Sequence, residues 1–96
     1  MARLIWKKTE NEADHATFDL AEAALTVGRD PVCGIFIDAP LVSREHARIE
    51  WRDGAHVVVD LGSTNFTKVN GERITERTLV DGDEIHFSRA VCVYRT

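Results

Sequence analysis

Residues 47–61, ARIEWRDGAHVVVDL, decide the fold of this chain. Ala47, Ile49 and Trp51 alternate with charged residues, which is the period-two pattern of a strand that buries one face. An Asp-Gly pair follows, and this dipeptide favours two-residue hairpin turns. A second apolar run comes directly after the pair. The stretch therefore predicts two adjacent antiparallel strands.

The same signals recur along the rest of the chain. Apolar runs with a period near two are separated by Gly, Asp, Asn or Pro, and no helical stripe lasts for three turns. We predict about eleven short, mostly antiparallel strands, at 2–7, 17–20, 24–27, 35–37, 47–51, 57–61, 68–69, 73–74, 77–80, 85–87 and 91–94. So many strands in so short a chain imply an all-β sandwich of two sheets, with binding loops gathered at one end.

Composition limits the classes of partner. The chain has 12 Lys and Arg against 16 Asp and Glu, a net charge of −4 with neutral histidines. This balance opposes broad attraction to nucleic acid or to an anionic membrane, and we expect neither as a partner. An anionic ligand would have to be bound locally.

The length of 96 residues indicates one domain, residues 1–96. We expect it to be cytoplasmic, because the sequence shows no secretory signal and no stretch long enough to span a membrane. Cys33 and Cys92 match no metal or redox spacing, so we predict two buried free thiols. Whether the chain is a whole small protein or one module of a longer chain with further domains stays open.

Three polar clusters follow predicted strands, and they combine arginine, hydroxyl and amide groups. They begin at Gly28, Ser43 and Ser63. Loops of a sandwich meet at its ends, so distant segments can form one site. A phosphate monoester suits these groups, because a guanidinium binds its oxygens bidentately while hydroxyls donate to the remaining lone pairs.

At these clusters the sequence resembles the forkhead-associated (FHA) domain, a β-sandwich that binds phosphothreonine peptides. The matching motifs are Gly28-Arg29, Ser43 with His46, and Ser63-Thr64-Asn65 followed by Thr67, Asn70 and Gly71. The resemblance runs from about residue 26 to the end. It implies that Arg29, Ser43 and Thr64 contact the phosphate, while Arg44 adds charge from the same loop as Ser43.

The resemblance also assigns supporting roles. It implies that Asn65 bonds the peptide backbone beside the phosphothreonine, and that Gly28 and His46 shape and brace the loops. Phe66 stands where the family has glycine. Since a bulky aromatic rarely occupies a strained position, we expect an ordinary backbone conformation at Phe66, with its ring free to contact the peptide.

Catalysis is a weaker interpretation of the same residues. Ser43, His46 and Asp60 could suggest a hydrolase, but the sequence has no strand-to-helix nucleophile elbow. His46 has no second ligand at a useful spacing, so we expect no metal and no cofactor.

Two functions remain. The first is a non-catalytic module that binds a phosphothreonine-containing protein or peptide and so mediates a phosphorylation-dependent interaction. The alternative is a phosphate-independent interaction or assembly domain that uses a sheet face or edge, with a vestigial phosphate pocket or one blocked by Phe66.

Overall fold

The computed structural model describes residues 2–96, which form eleven strands and one 3₁₀ turn, Glu12–Asp14. The strands are β1 Ala2–Lys7, β2 His15–Leu20, β3 Leu25–Gly28, β4 Ile35–Phe36, β5 Ala47–Arg52, β6 Ala55–Asp60, β7 Thr67–Val69, β8 Glu72–Ile74, β9 Glu76–Thr78, β10 Glu84–Phe87 and β11 Ala90–Arg95. Every predicted strand is confirmed, with its ends within two residues of the predicted bounds.

The strands make two sheets packed face to face. One has the order β2-β1-β11-β10-β7-β8 and the other the order β4-β3-β5-β6-β9. Neighbouring strands are antiparallel except β3 and β4, which pair in parallel. The all-β sandwich is therefore confirmed.

The predicted hairpin joins β5 to β6. Asp53 and Gly54 have φ angles of 51° and 82°, and positive φ at both central residues is the requirement of a type I′ turn. Ala47 and Ile49 are buried, as the alternation predicts. Trp51 is on the same side of the strand but is 40% exposed, because it lies beyond the edge of the core, where its ring packs against His56.

The core fills the space between the sheets. Its fully buried side chains include Leu4, Val27, Ile35, Ile49, Val58, Val69, Ile85 and Phe87. Cys33 and Cys92 are both buried and free, as predicted, and burial raises the pKa of the Cys92 thiol. The Cys92 thiol therefore serves as a small apolar group, whereas the Cys33 thiol donates to the Arg44 carbonyl at 3.2 Å.

Strand register brings three loops to one end of the sandwich. Val27 near the end of β3 pairs with Ala47 at the start of β5, and Ala47 pairs with Asp60 at the end of β6. Loops 29–34, 37–46 and 61–66 leave the sheet at this level. We call this the loop end, and the end that carries the β5–β6 turn the hairpin end.

Candidate functional site

The first two loops are held together through their backbones next to Gly28. The amide of Arg29 donates to the Ser43 carbonyl at 3.0 Å, and the amide of Asp30 donates to the Arg44 carbonyl at 3.2 Å. A Cβ on residue 28 would lie 1.9 Å from the Arg44 carbonyl oxygen. Only glycine therefore allows the two chains to approach this closely.

Arg29 directs an unpaired charge into solvent at the loop end. Its Nε donates to the Val42 carbonyl at 3.1 Å, which fixes the guanidinium against the second loop. Across residues 2–96, no carboxylate lies within 4.0 Å of Arg29. Its two terminal nitrogens are thus available to an anion.

Ser43 joins the second loop to the third. Its hydroxyl oxygen accepts from the Thr64 amide at 3.2 Å. The hydroxyl proton of Ser43 remains able to donate, because a hydroxyl has one donor and two acceptor sites. The Nδ2 of Asn65 donates to the Leu41 carbonyl at 3.1 Å, a second link between these loops.

These side chains surround one small depression of about 340 Å³. The residues that line it are Arg29, Leu41, Val42, Ser43, Thr64 and Asn65. Four residues that sequence reasoning selected thus meet in one place. Arg44 is exposed in the same loop but does not line this depression.

His46 lies beneath the depression and is fully buried. Its Nδ1 accepts from the Ser43 amide at 3.1 Å, so Nε2 carries the proton that is donated to the Phe66 carbonyl, 2.8 Å away. Burial lowers the pKa of His46, although the bond to Phe66 and the charge of Asp60 oppose the shift. A neutral imidazole therefore links the second and third loops.

Asp60 organises the third loop, and sequence reasoning did not select it as part of the binding site. Its carboxylate accepts from the hydroxyls of Ser63 at 2.5 Å and Thr67 at 2.7 Å. The amides of Gly62 and Ser63 donate to its other oxygen at 3.0 and 3.1 Å. Burial opposes ionisation, but these four bonds outweigh it and lower the pKa of Asp60.

The polar side chains of residues 63–67 therefore have two different functions. Ser63 and Thr67 are buried and bonded to Asp60, while Thr64 and Asn65 face the depression. The sequence does contain a signal for this role of Asp60. Gly-Ser follows the aspartate two and three residues later, and Asp side chains commonly accept hydrogen bonds from backbone amides at that distance along the chain.

The expectation of an ordinary backbone conformation at Phe66 was wrong, because the φ angle of this residue is +68°. In this left-handed conformation its carbonyl accepts from both His46 and the amide of Ser88, at 2.8 and 3.1 Å. Its ring lies 3.4 Å from the Arg73 guanidinium carbon. Two hydrogen bonds to its carbonyl and a cation–π contact offset the strain that a non-glycine residue has there.

The sequence profile of the FHA domain matches residues 25–88, two thirds of the chain. The chain belongs to the FHA domain family. This FHA domain is accordingly a non-catalytic binding module, and its relatives are named as inhibitors and regulators.

Three relatives give the degree of similarity. The oxoglutarate dehydrogenase inhibitor of Corynebacterium diphtheriae is 40% identical over 82% of this chain and 55% of the relative. The glycogen accumulation regulator GarA of Mycolicibacterium smegmatis is 36% identical over 99% of this chain and 59% of the relative. A solved FHA domain, from a study of phosphothreonine-dependent FHA domain interactions, superposes with a TM-score of 0.88 at 28% identity, over 99% and 95% of the two chains. This chain thus spans less than two thirds of these two curated relatives.

Residues 2–96 contain no group of three His, Cys, Asp or Glu side chains that could hold a metal ion. Within the same residues, no helix is long and apolar enough to cross a membrane.

Proposed function

We propose that this FHA domain binds phosphothreonine on a partner protein and so mediates a phosphorylation-dependent protein–protein interaction. The observation that carries the proposal is the meeting of Arg29, Ser43, Thr64 and Asn65 around one depression, with no carboxylate in its lining.

The available groups match a phosphate monoester. Phosphothreonine carries about −1.5 to −2 charges and three strong acceptor oxygens. The terminal nitrogens of Arg29 supply two parallel donors, and the hydroxyls of Ser43 and Thr64 supply one each. Arg44, in the same loop as Ser43, adds positive charge nearby.

The side chain of Asn65 is suited to hydrogen-bond the peptide backbone beside the phosphate. Its amide nitrogen is already bonded to the Leu41 carbonyl, which orients its Oδ1 as an acceptor for a peptide N–H group. The exposed side chain of Leu41 offers apolar surface to the γ-methyl of phosphothreonine. Loss of that methyl in phosphoserine would cost about 0.8 kcal/mol of apolar burial.

The alternative with a blocked pocket has less support. Phe66 does not line the depression, and its ring instead packs against Arg73. Phe66 therefore does not block the depression, and we propose that any contact of its ring with the peptide lies outside it.

Names of the relatives suggest the setting of the interaction. One relative is named for inhibition of oxoglutarate dehydrogenase and another for regulation of glycogen accumulation. We infer a regulatory role for this domain and a cytoplasmic location, which agrees with two free thiols, since reducing compartments keep cysteines in that state.

Calorimetric titration with a phosphothreonine peptide library tests the proposal. We expect binding of phosphothreonine peptides, weaker binding of matched phosphoserine peptides, and none of the dephosphorylated controls. Ser43→Ala and Thr64→Val should each cost about 1.5–3 kcal/mol of binding free energy. Because both hydroxyls share one ligand, the two losses should not be additive. Equal binding of phosphorylated and plain peptides would overturn the proposal.

A further inference from the structure

A larger depression lies at the hairpin end, at the opposite end of the sandwich from the proposed phosphate site. Its volume is about 740 Å³, and strands of both sheets contribute to it. Its floor consists of four buried side chains, those of Leu20, His56, Leu79 and Tyr94. Four small residues also line it, namely Ala2, Ala21, Gly54 and Ala55. Because these residues are small, they leave the apolar floor accessible.

Trp51 also lines this depression, and its ring is held in place. Trp51 pairs with His56 across β5 and β6, and the two ring centres lie 4.8 Å apart at an interplanar angle of 71°. His56 is in turn bonded to the Tyr94 hydroxyl and the Ala21 carbonyl, at 2.8 and 2.9 Å. Trp51 is nevertheless 40% exposed. The fold therefore presents an aromatic surface to solvent in a fixed position.

The charged group of the depression is a carboxylate. In the part of the chain that the structure describes, Glu22 is the one Asp, Glu, Lys or Arg residue that lines it. Across residues 2–96, no cationic side chain lies within 4.0 Å of Glu22. Arg52 and Arg95, at the ends of β5 and β11, face other carboxylates instead. Glu22 thus remains without a counterion there.

A second carboxylate adds to the negative field at the floor. Burial raises the pKa of the Tyr94 hydroxyl, and the negative charge of Asp81 raises it further. The hydroxyl therefore stays protonated and donates to His56. A negative field beside an apolar floor favours a cation over an anion as the ligand.

An arginine side chain matches all of these features. Its guanidinium stacks on aromatic rings and pairs with carboxylates, while its methylene groups cover apolar surface. A buried apolar floor with a half-exposed tryptophan and an exposed carboxylate beside it also resembles a protein interface, in which a polar rim surrounds an apolar centre. The chemistry of the depression thus suits an arginine that is flanked by apolar residues.

We propose that the hairpin end binds an arginine-containing segment of a protein partner. The guanidinium lies against the Trp51 ring with Glu22 as its counterion, and a neighbouring apolar side chain enters the depression. The six residues of β5 and of β6 separate this site from the loop end by roughly 20 Å. The inference goes beyond the proposed function, because the site needs no phosphate and leaves the loop end free.

Capped five-residue peptides test the ligand side, in titrations of the ¹⁵N-labelled domain followed by NMR. The parent peptide has leucine on both sides of a central arginine, which citrulline, lysine or glutamate replaces in turn. Citrulline is the matched neutral group, because it keeps the planar shape without the charge. We expect the arginine peptide to bind about three- to tenfold more tightly than the citrulline peptide, with lysine between them and glutamate weakest.

The same spectra locate the site. The indole signal of Trp51 and the amide signals of Glu22 and Tyr94 should move as the arginine peptide is added. The indole signal of Trp6 is the internal control and should not move, because Trp6 lines other depressions only. N-acetylarginine amide should bind more weakly than the peptide, because it lacks the apolar neighbours.

Variants test the protein side. Trp51→Ala should remove most of the binding, and Glu22→Gln should weaken the arginine peptide about two- to fivefold without affecting the citrulline peptide. Glu12→Gln is the matched control, since Glu12 is an exposed carboxylate outside this depression. Ala2→Leu should weaken both peptides by filling the depression, because Ala2 faces the same side of β1 as the buried Leu4. Thermal melts check that each variant is folded.

Three results would overturn the inference. Equal binding of the arginine and citrulline peptides would show that no cation is recognised. Equal losses in Glu22→Gln and Glu12→Gln would reflect net charge alone. Binding of N-acetylarginine amide as tightly as the peptide would make the depression a small-molecule site. None of these results bears on the proposed function, which the phosphothreonine titration tests at the other end of the domain.

Discussion

Two buried histidines, one at each end of the sandwich, make the same kind of hydrogen bonds but serve different purposes. His46 accepts from the Ser43 amide and donates to the Phe66 carbonyl. His56 accepts from the Tyr94 hydroxyl at 2.8 Å and donates to the Ala21 carbonyl at 2.9 Å. Each links segments distant in sequence.

The partners of these rings distinguish the two ends. His46 fixes the backbone of two loops whose side chains remain free to bind a ligand. His56 lies between the rings of Trp51 and Tyr94 beside a more apolar depression of about 740 Å³ at the hairpin end. The proposed phosphate-binding site is therefore marked by unpaired charge and free hydroxyls, and cavity size is a poorer guide to it.

Removal of Arg29 at the loop end should weaken phosphopeptide binding strongly, and this should be the largest difference in effect between a substitution at the loop end and one at the hairpin end. Arg29→Ala is expected to cost about 2–5 kcal/mol of phosphopeptide binding free energy, because it removes a bidentate contact to a charged group. The free energy of unfolding should barely change, since the side chain is exposed. Titration calorimetry and urea denaturation measure the two quantities.

Arg52→Ala is the control at the hairpin end. Arg52 forms solvent-exposed ion pairs with Glu50 and Glu76, so its loss should change stability little and leave the affinity unchanged. Unchanged affinity in Arg29→Ala would exclude Arg29 from the site.

Replacing each histidine tests the comparison directly. His46→Ala and His56→Ala should each destabilise the fold by about 2–4 kcal/mol, because each leaves buried polar partners unsatisfied and a cavity. Only His46→Ala should also weaken phosphopeptide binding by the folded protein, since its partners belong to the site loops. A comparable loss of affinity in His56→Ala would show that the two ends are coupled.

Asp60→Asn should loosen the third loop. An amide cannot replace a carboxylate that accepts four bonds, so we expect a stability loss of about 1–3 kcal/mol together with weaker binding. Asp53→Asn at the hairpin turn provides the control. Asn also tolerates positive φ before glycine, so that change should stay within about 0.5 kcal/mol. Equal effects of the two variants would contradict an organising role for Asp60.

Acidification should affect the fold through His46. Its pKa is lowered by burial, so the unfolded chain, whose imidazole titrates near pH 6.5, takes up the proton first. Stability should be intact above about pH 6.5 and fall as the pH approaches the lower pKa of the folded state.

Urea denaturation between pH 7.5 and pH 5 measures this dependence, in a range above the titration of Asp60, whose pKa is also lowered. His46→Gln should flatten the profile, because glutamine does not titrate. An unaltered slope in that variant would assign the effect to another group.

Phe66→Gly should have the smallest effect. Glycine relieves about 1–2 kcal/mol of strain at positive φ but loses a cation–π contact of about 0.5–1 kcal/mol. We therefore expect a stabilisation of about 0–1.5 kcal/mol in a denaturant melt. The gain should be larger in an Arg73→Gln background, where no guanidinium contact remains to be lost. Destabilisation would mean that Phe66 contributes more to packing than its exposure suggests.

Local patterns made most of the strands predictable. Period-two alternation and the Asp-Gly and Asn-Gly pairs depend only on neighbouring residues, because side chains of a strand alternate between faces and these dipeptides adopt positive φ. The polar motifs around Arg29, Ser43 and Thr64 were equally visible, and the resemblance to the FHA family grouped them.

Other features depend on contacts between residues far apart in sequence. The sequence alone could determine the all-β class and the number of strands, since both rest on short-range chemistry, and the family resemblance grouped the residues that meet at the loop end. Only the tertiary structure decided that Ser63 and Thr67 bond Asp60, that Phe66 adopts a left-handed conformation, and that Lys7, Lys8 and Arg89 lie beside the proposed phosphate site. The physical reason is that hydrogen-bond partners and neighbouring charges across loops are chosen by strand register and packing, which a local pattern does not encode.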